Sequence, residues 1–181
     1  MTDQDTRHVQ ASAVRAPLIL DALVSNGIDA VTAVPDFVQF SVHDGLEHRT
    51  HPIRYFRCCT EEQAVCMAAG LYVGGRKPVL VMQNQGLYAC INALRAVGLD
   101  AQMPICLLVG QFGREFANLG KDPRTSSRRM VRLLEPVLDA LEIRHWRLES
   151  PDDLPNISRA IDWAFAHQTP AVVAVGAYTD W

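Results

Sequence analysis

Two adjacent carboxylates, Glu61 and Glu62, stand in the stretch CCTEEQAVCMAAG (58–70), where an apolar strand gives way to an alanine-rich helix. A carboxylate held at such a junction can do acid–base work, because it can share a proton with a ligand nitrogen. It can equally serve the helix. Thr60 followed three residues later by Gln63 fits a capping box, and acids in a first helical turn are favoured by the positive end of the helix. Local sequence therefore explains both glutamates structurally. Glu61 differs in lying at the junction itself, after Cys58 and Cys59 and before small apolar residues. Burial there costs free energy unless a hydrogen-bond partner is found, and a ligand nitrogen would be one.

Three further loops carry chemistry-bearing residues, each after a different predicted strand. VPDF contains Pro35 and Asp36. Asp36 suits a helix cap after a proline turn, and equally a proton carrier. MQNQGL places Asn84, Gln85 and Gly86 either in a simple turn or as polar contacts to a ligand. GQFGR offers Gln111 and Arg114, the latter a guanidinium able to read a carboxylate, sulfonate or phosphonate. Arg114 also opens a basic run with Lys121, Arg124, Arg128, Arg129 and Arg132, whose simplest reading is a solvated loop and helix face. His43, His48, His51, His145 and His167 share no evident site. Cys58, Cys59, Cys66, Cys90 and Cys106 show no zinc-type spacing and read as thiols of a reducing cytoplasm. No metal site is assigned to this chain.

These loops need elements to hold them. Short β-branched runs predict strands at 29–34, 53–58, 78–83, 104–109, 143–148 and 171–176. Amphipathic stretches predict helices near 10–26, 37–48, 61–73, 87–98, 125–141 and 151–167, with Pro17 and Pro136 arguing for kinks or breaks in two of them. Several strands are continuously apolar, as when both faces of a sheet are covered. Strand–helix alternation then gives an α/β fold, a three-layer sandwich around a mainly parallel six-stranded sheet. Ligands of such sheets gather beyond the carboxyl ends of the strands, where all four loops fall.

Composition narrows the classes. The 181 residues are 49% hydrophobic and 20% charged, which suits one globular domain over 10–181 after a flexible N-terminus, 1–9. A net charge of -3 gives no reason to expect nucleic acid, and no apolar run reaches membrane-span length. The opening MTDQDTRHVQ is unlike a secretion signal, so a cytoplasmic protein is expected.

The run from TEEQAVCMAAG through MQNQGL and INAL to LLVGQFG resembles the pyrimidine-binding domain of thiamine-diphosphate enzymes. Within that family it resembles the small alpha subunit of sulfopyruvate decarboxylase and the equivalent half of phosphonopyruvate decarboxylase. The telling features are Glu61 followed nine residues later by Gly70, then MQNQGL, then INAL, in that order. The resemblance implies that Glu61, with Glu62 as the adjacent alternative, hydrogen-bonds N1′ of the cofactor's aminopyrimidine and promotes proton removal from the thiazolium. It implies that Pro35, Asn84, Gln85 and Gly86 lie against the cofactor. Asp36, Gln111 and Arg114 would then face a small 2-oxo acid substrate, with Asp36 also catalytic. Gln85 and Tyr88 are bulkier than the family's more usual MQNSGLGN.

No GDG occurs, nor any phosphate-binding glycine fingerprint. The resemblance therefore implies a beta subunit carrying the diphosphate-binding domain and its Mg2+, in a hetero-oligomer that decarboxylates a 2-oxo acid to an aldehyde and CO2. Two alternatives stay open: a carboligase subunit of the same cofactor class, and a non-catalytic regulatory interaction subunit.

Overall fold

Continuously apolar central strands explain the architecture of the computed structural model, which describes residues 13–181. The predicted flexible segment 1–9 lies outside the described residues. Six strands form one all-parallel sheet: β2 (Ala30–Ala33), β3 (Arg54–Arg57), β4 (Pro78–Gln83), β5 (Cys106–Gly110), β6 (Arg144–Leu148) and β7 (Ala171–Val175). Their spatial order is β3-β2-β4-β5-β7-β6, so β4, β5 and β7 have neighbours on both sides and read as unbroken apolar runs. A parallel pair not foreseen in the sequence, β1 (Val14–Arg15) with β8 (Thr179–Asp180), joins the two ends of the described chain. Two residues are too few to carry a periodic signal.

Successive residues point to opposite faces, which divides the core in two. On one side Val79, Val81, Leu108 and Val173 pack with α1 (Ala16–Ser25), α2 (Phe40–Glu47) and α8 (Pro155–His167). On the other Leu80, Met82, Leu107 and Val172 meet α3 (Glu61–Val73) and α4 (Asn84–Ala89). The second layer also holds α5 (Ile91–Ala93), a π-helical stretch over Leu94–Asp100, and α7 (Leu134–Ala140). This is the expected three-layer sandwich.

Helix ends depart from expectation for local reasons. Pro17 does not kink α1 but lies in its first turn, where its missing N–H is no loss. The helix expected over 125–141 is two, α6 (Arg129–Arg132) and α7, meeting at Leu133. Pro136 could not continue the hydrogen-bond ladder of α6, so the break precedes it. The helix expected from 87 begins instead at Asn84 and ends in the π-helical stretch, and the one expected from 151 opens with a 3-10 turn at Pro151–Asp153.

Candidate functional site

The helix carrying the two glutamates starts as its residues dictate. Thr60 Oγ1 accepts from Gln63 N at 3.2 Å, and Cys59 N donates back to Gln63 Oε1 at 2.8 Å. From there α3 crosses behind β2, where Thr32 Oγ1 donates to Ala64 O at 3.0 Å, and packs on β4. The crossing delivers the start of α3 to the loop that follows β4, although β2 separates β3 from β4 in the sheet.

Glu61 and Glu62 part company at that point. Glu62 is exposed, whereas Glu61 is half-buried and lies over Gly86. A Cβ added to Gly86 would stand 2.4 Å from both Glu61 Cγ and Glu61 Oε1. Only glycine allows this approach. Among the described residues no donor is hydrogen-bonded to the Glu61 carboxylate. Cys90 lies beneath the pair, its thiol pushed up to about 12 by burial and then by the nearby charges of Glu61 and Glu62. The outer face of α3 forms a separate open groove of about 590 Å³ lined by Cys66, Met67, Gly70 and Leu71, and Glu61 is not among its lining residues. A half-buried carboxylate with no partner among the described residues suits a nitrogen-bearing ring, so the residues present fit such a group. A roomier recess of about 1110 Å³ follows the edge strand β3 past Arg49, His51 and Arg54, and Glu61 does not line it.

The loop after β4 is held from its other side. Asn84, fully buried, donates through Nδ2 to Phe112 O at 3.1 Å and to Met130 O at 3.3 Å, while its Oδ1 accepts from Gln85 N. Tyr88 Oη donates to the same Met130 O at 2.5 Å, and Gln85 Nε2 lies 3.7 Å from Met130 Sδ. Burial pushes the Tyr88 phenol up to about 12, so it stays a donor across the ordinary pH range. Pro35 is exposed at the end of the neighbouring β2 loop.

Asp36 faces inward. Its Oδ1 accepts from Gln39 N at 2.8 Å and its Oδ2 from Gln39 Nε2 at 2.7 Å, with no part of the side chain exposed. Its backbone N–H donates to His43 Nε2 at 3.1 Å, which leaves the His43 Nδ1 hydrogen for Tyr55 Oη at 2.9 Å. A Cβ on Gly110 would come within 2.8 Å of Asp36 Oδ1, so β5 ends directly against this carboxylate. In this geometry Asp36 braces the turn into α2 and presents no free oxygen to a ligand.

Arg114 is also turned in, and the expectation of an accessible anion reader there needs correcting. Its side chain is 1% exposed and its Nη2 donates to Glu149 Oε1 at 2.6 Å and to the carbonyls of Asn118 and Lys121. Burial lowers the affinity of this guanidinium for its proton, and Glu149 opposes that. Among the described residues Nε and Nη1 have no hydrogen-bond partner, nor do the two amide atoms of the buried Gln111. Gln111 Oε1 and Glu149 Cγ both crowd the position a Gly176 Cβ would take, at 3.3 and 2.9 Å, so the three residues form one internal polar cluster. Nothing in the residue pattern singles out Glu149, which follows the end of β6, two strands from Arg114.

The structure thus brings Glu61 together with Gly86, and Asn84, Gln85 and Tyr88 together with Met130. It keeps Asp36, Gln111 and Arg114 inside. Sequence reasoning missed Met130, which contributes mainly a backbone carbonyl and so has no residue-type signature. It also missed an aromatic row at the same edge, in which Tyr178 contacts Phe37 at 5.9 Å and Phe116 at 5.8 Å between ring centroids.

Comparison with known proteins adds an independent line. Residues 15–141 match the family described as "Thiamine pyrophosphate enzyme, N-terminal TPP binding domain". The chain is similar to the sulfopyruvate decarboxylase subunit alpha of Methanococcus maripaludis, 27% identical over 135 residues, 75% of this chain and 77% of that protein. The Methanocaldococcus jannaschii subunit alpha is likewise 27% identical, over 75% of this chain and 76% of its own length. A sulfopyruvate decarboxylase of Methanosarcina acetivorans is 25% identical over 64% of this chain and 28% of that longer protein.

Proposed function

The chain belongs to the thiamine pyrophosphate enzymes, matching their N-terminal TPP-binding domain, and on that premise we propose that it is the alpha subunit of a decarboxylase acting on a small 2-oxo acid. Residues 10–181 act as one pyrimidine-binding domain. The observation that carries this reading is the Glu61–Gly86 approach, which leaves a partnerless carboxylate at the edge where the cofactor ring would lie.

Thiamine diphosphate, when bound, supplies the electron sink for the pair released with CO2. Every other contribution belongs to the chain. Glu61 would hold a proton at the ring nitrogen, with the N-terminus of α3 steadying its charge. Gly86 keeps the space in which the Glu61 side chain lies. Asn84 fixes the loop that carries Gly86, and Pro35 and Gln85 are the residues of these loops that would contact the ring. Asp36, braced by Gln39, is a positioning residue for the loop after β2. Arg114 and Gln111 support the loop after β5 from within.

The relatives named as subunit alpha support a partner subunit, to which this reading assigns the diphosphate and Mg2+. The exposed small residues Gly70 and Gly74 along α3 suit close approach by such a partner. Five free thiols suit a reducing, cytoplasmic setting. The test is reconstitution of the chain with a GDG-containing partner, thiamine diphosphate, Mg2+ and a panel of 2-oxo acids, reading CO2 and product. Aldehyde and CO2 in equal amounts support decarboxylation. A carbon–carbon coupled product would assign a carboligase instead, and no cofactor-dependent turnover with any substrate would refute the reading.

A further inference from the structure

The basic run after β5 sorts into two kinds of side chain. Arg114 is spent on Glu149, Arg124 on Asp139, and Lys121 on the carbonyl of Ala117. Arg132 Nη1 donates to the carbonyls of Ser126 and Ser127. Arg128 and Arg129 are both exposed, and among the described residues neither guanidinium has a carboxylate partner. Arg128 also leans on the loop after β5. Its Cδ lies 3.1 Å, and Met130 Sδ 3.2 Å, from where a Gly113 Cβ would be, at a left-handed backbone position of φ +89°. Gly113 follows the carboxyl end of β5, and Met130 is gripped by Asn84, Gln85 and Tyr88 from the loop that carries Gly86.

From this arrangement we propose that Arg128 reads the terminal anion of the substrate, a sulfonate, phosphonate or carboxylate beyond the 2-oxo acid group, and that Tyr88 positions it. This rests on the decarboxylase reading and deepens it. The segment Arg128–Met130 is a strap whose carbonyl at Met130 is tied down by two donors, Asn84 Nδ2 and Tyr88 Oη. Fixing Met130 fixes the Cα of Arg128 two residues away, and Gly113 leaves the room along which its stem runs. A free guanidinium on a fixed backbone is a strong, directional partner for a tetrahedral or planar oxyanion. The bulk of Gln85 and Tyr88 then has a purpose: both side chains reach Met130, which smaller residues could not do.

The experiment uses the assembled complex. Arg128→Gln is expected to lower the ratio of kcat/KM for a sulfonate-bearing 2-oxo acid over that for pyruvate about tenfold or more, chiefly through KM. Tyr88→Phe is expected to lower the same ratio by a smaller factor, with KM moving and kcat holding. Independently of turnover, calorimetric titration of the complex with sulfoacetate, an unreactive anion, is expected to show binding that Arg128→Gln weakens about tenfold. Equal loss for both substrates, or unchanged sulfoacetate affinity in Arg128→Gln, overturns the proposal. A complex that releases no CO2 from any 2-oxo acid refutes the decarboxylase reading alone, because the sulfoacetate titration still decides the role of Arg128.

Discussion

Gly86 and Glu61 share one volume: a methyl group on Gly86 would lie 2.4 Å from Glu61 Cγ and Oε1. The glycine is what lets the start of α3 set its carboxylate against the loop after β4. Gly86→Ala therefore displaces the Glu61 side chain, whose flexible end can yield, while the backbone stays in place. The expected result is a loss of kcat on the order of 10²-fold in the reconstituted complex with a thermal midpoint close to wild type. Parallel loss of activity and folded fraction, followed by circular dichroism, would contradict it.

Glu61→Gln keeps the shape and removes the acid. We expect kcat to fall by about 10² to 10⁴-fold with the fold intact, as for loss of a positioned acid–base group. The exposed Glu62 serves as the control. Glu62→Gln should stay within a few-fold of wild type, and the reverse pattern would move the role to Glu62.

Asp36 receives both donors of Gln39, its backbone and its side-chain amide. Asp36→Asn turns a donor toward a donor. The expected cost is about 1–3 kcal/mol, read as a lower urea midpoint in the isolated chain. A variant as stable as wild type but inactive in the complex would return Asp36 to a catalytic role.

The Arg114–Glu149 pair is buried, with side chains 1% and 8% exposed. Glu149→Gln leaves a buried guanidinium uncompensated and should cost roughly 3–5 kcal/mol. Replacing both residues together, Arg114→Met with Glu149→Leu, should recover most of that loss. If the double variant is as unstable as the single one, the pair is not the unit described here.

Glu115 is held well below its ordinary value, to about 2, chiefly by the hydroxyls of Ser126 and Ser127. A folded-state pKa lowered from 4.5 means that its stabilisation is complete above pH 4.5 and is lost as pH falls toward 2. Because the group is partly exposed, the effect is local. The Ser127 amide, which donates to Glu115 Oε1 at 2.9 Å, should titrate by NMR with a midpoint near the lower value. In Glu115→Gln that titration should vanish.

Much of the scaffold was legible because its signals are local. Alternating faces and unbroken apolar runs define β4, β5 and β7. Thr60 and Gln63 mark the start of α3 within four residues, and four loops at the carboxyl ends of strands follow from the alternation of elements. The resemblance carried by Glu61, Gly70 and MQNQGL pointed to the family to which the chain belongs. What the residues could not disclose was direction.

A helix turns about 100° per residue, so only the packing of α3 across β2 onto β4 decides that Glu61 lies over Gly86 while Glu62 meets water. Arg114 looked available because Glu149 is distant in the chain; sheet order sets the ends of β5 and β6 on either side of β7 and closes the pair. Tyr88 looked like a departure until its phenol found the Met130 carbonyl. Which elements form and where their loops emerge could be read from the residues alone, since those depend on near neighbours. Tertiary structure decided which polar groups are already satisfied and which remain free, since that depends on partners brought together only by the order of the strands.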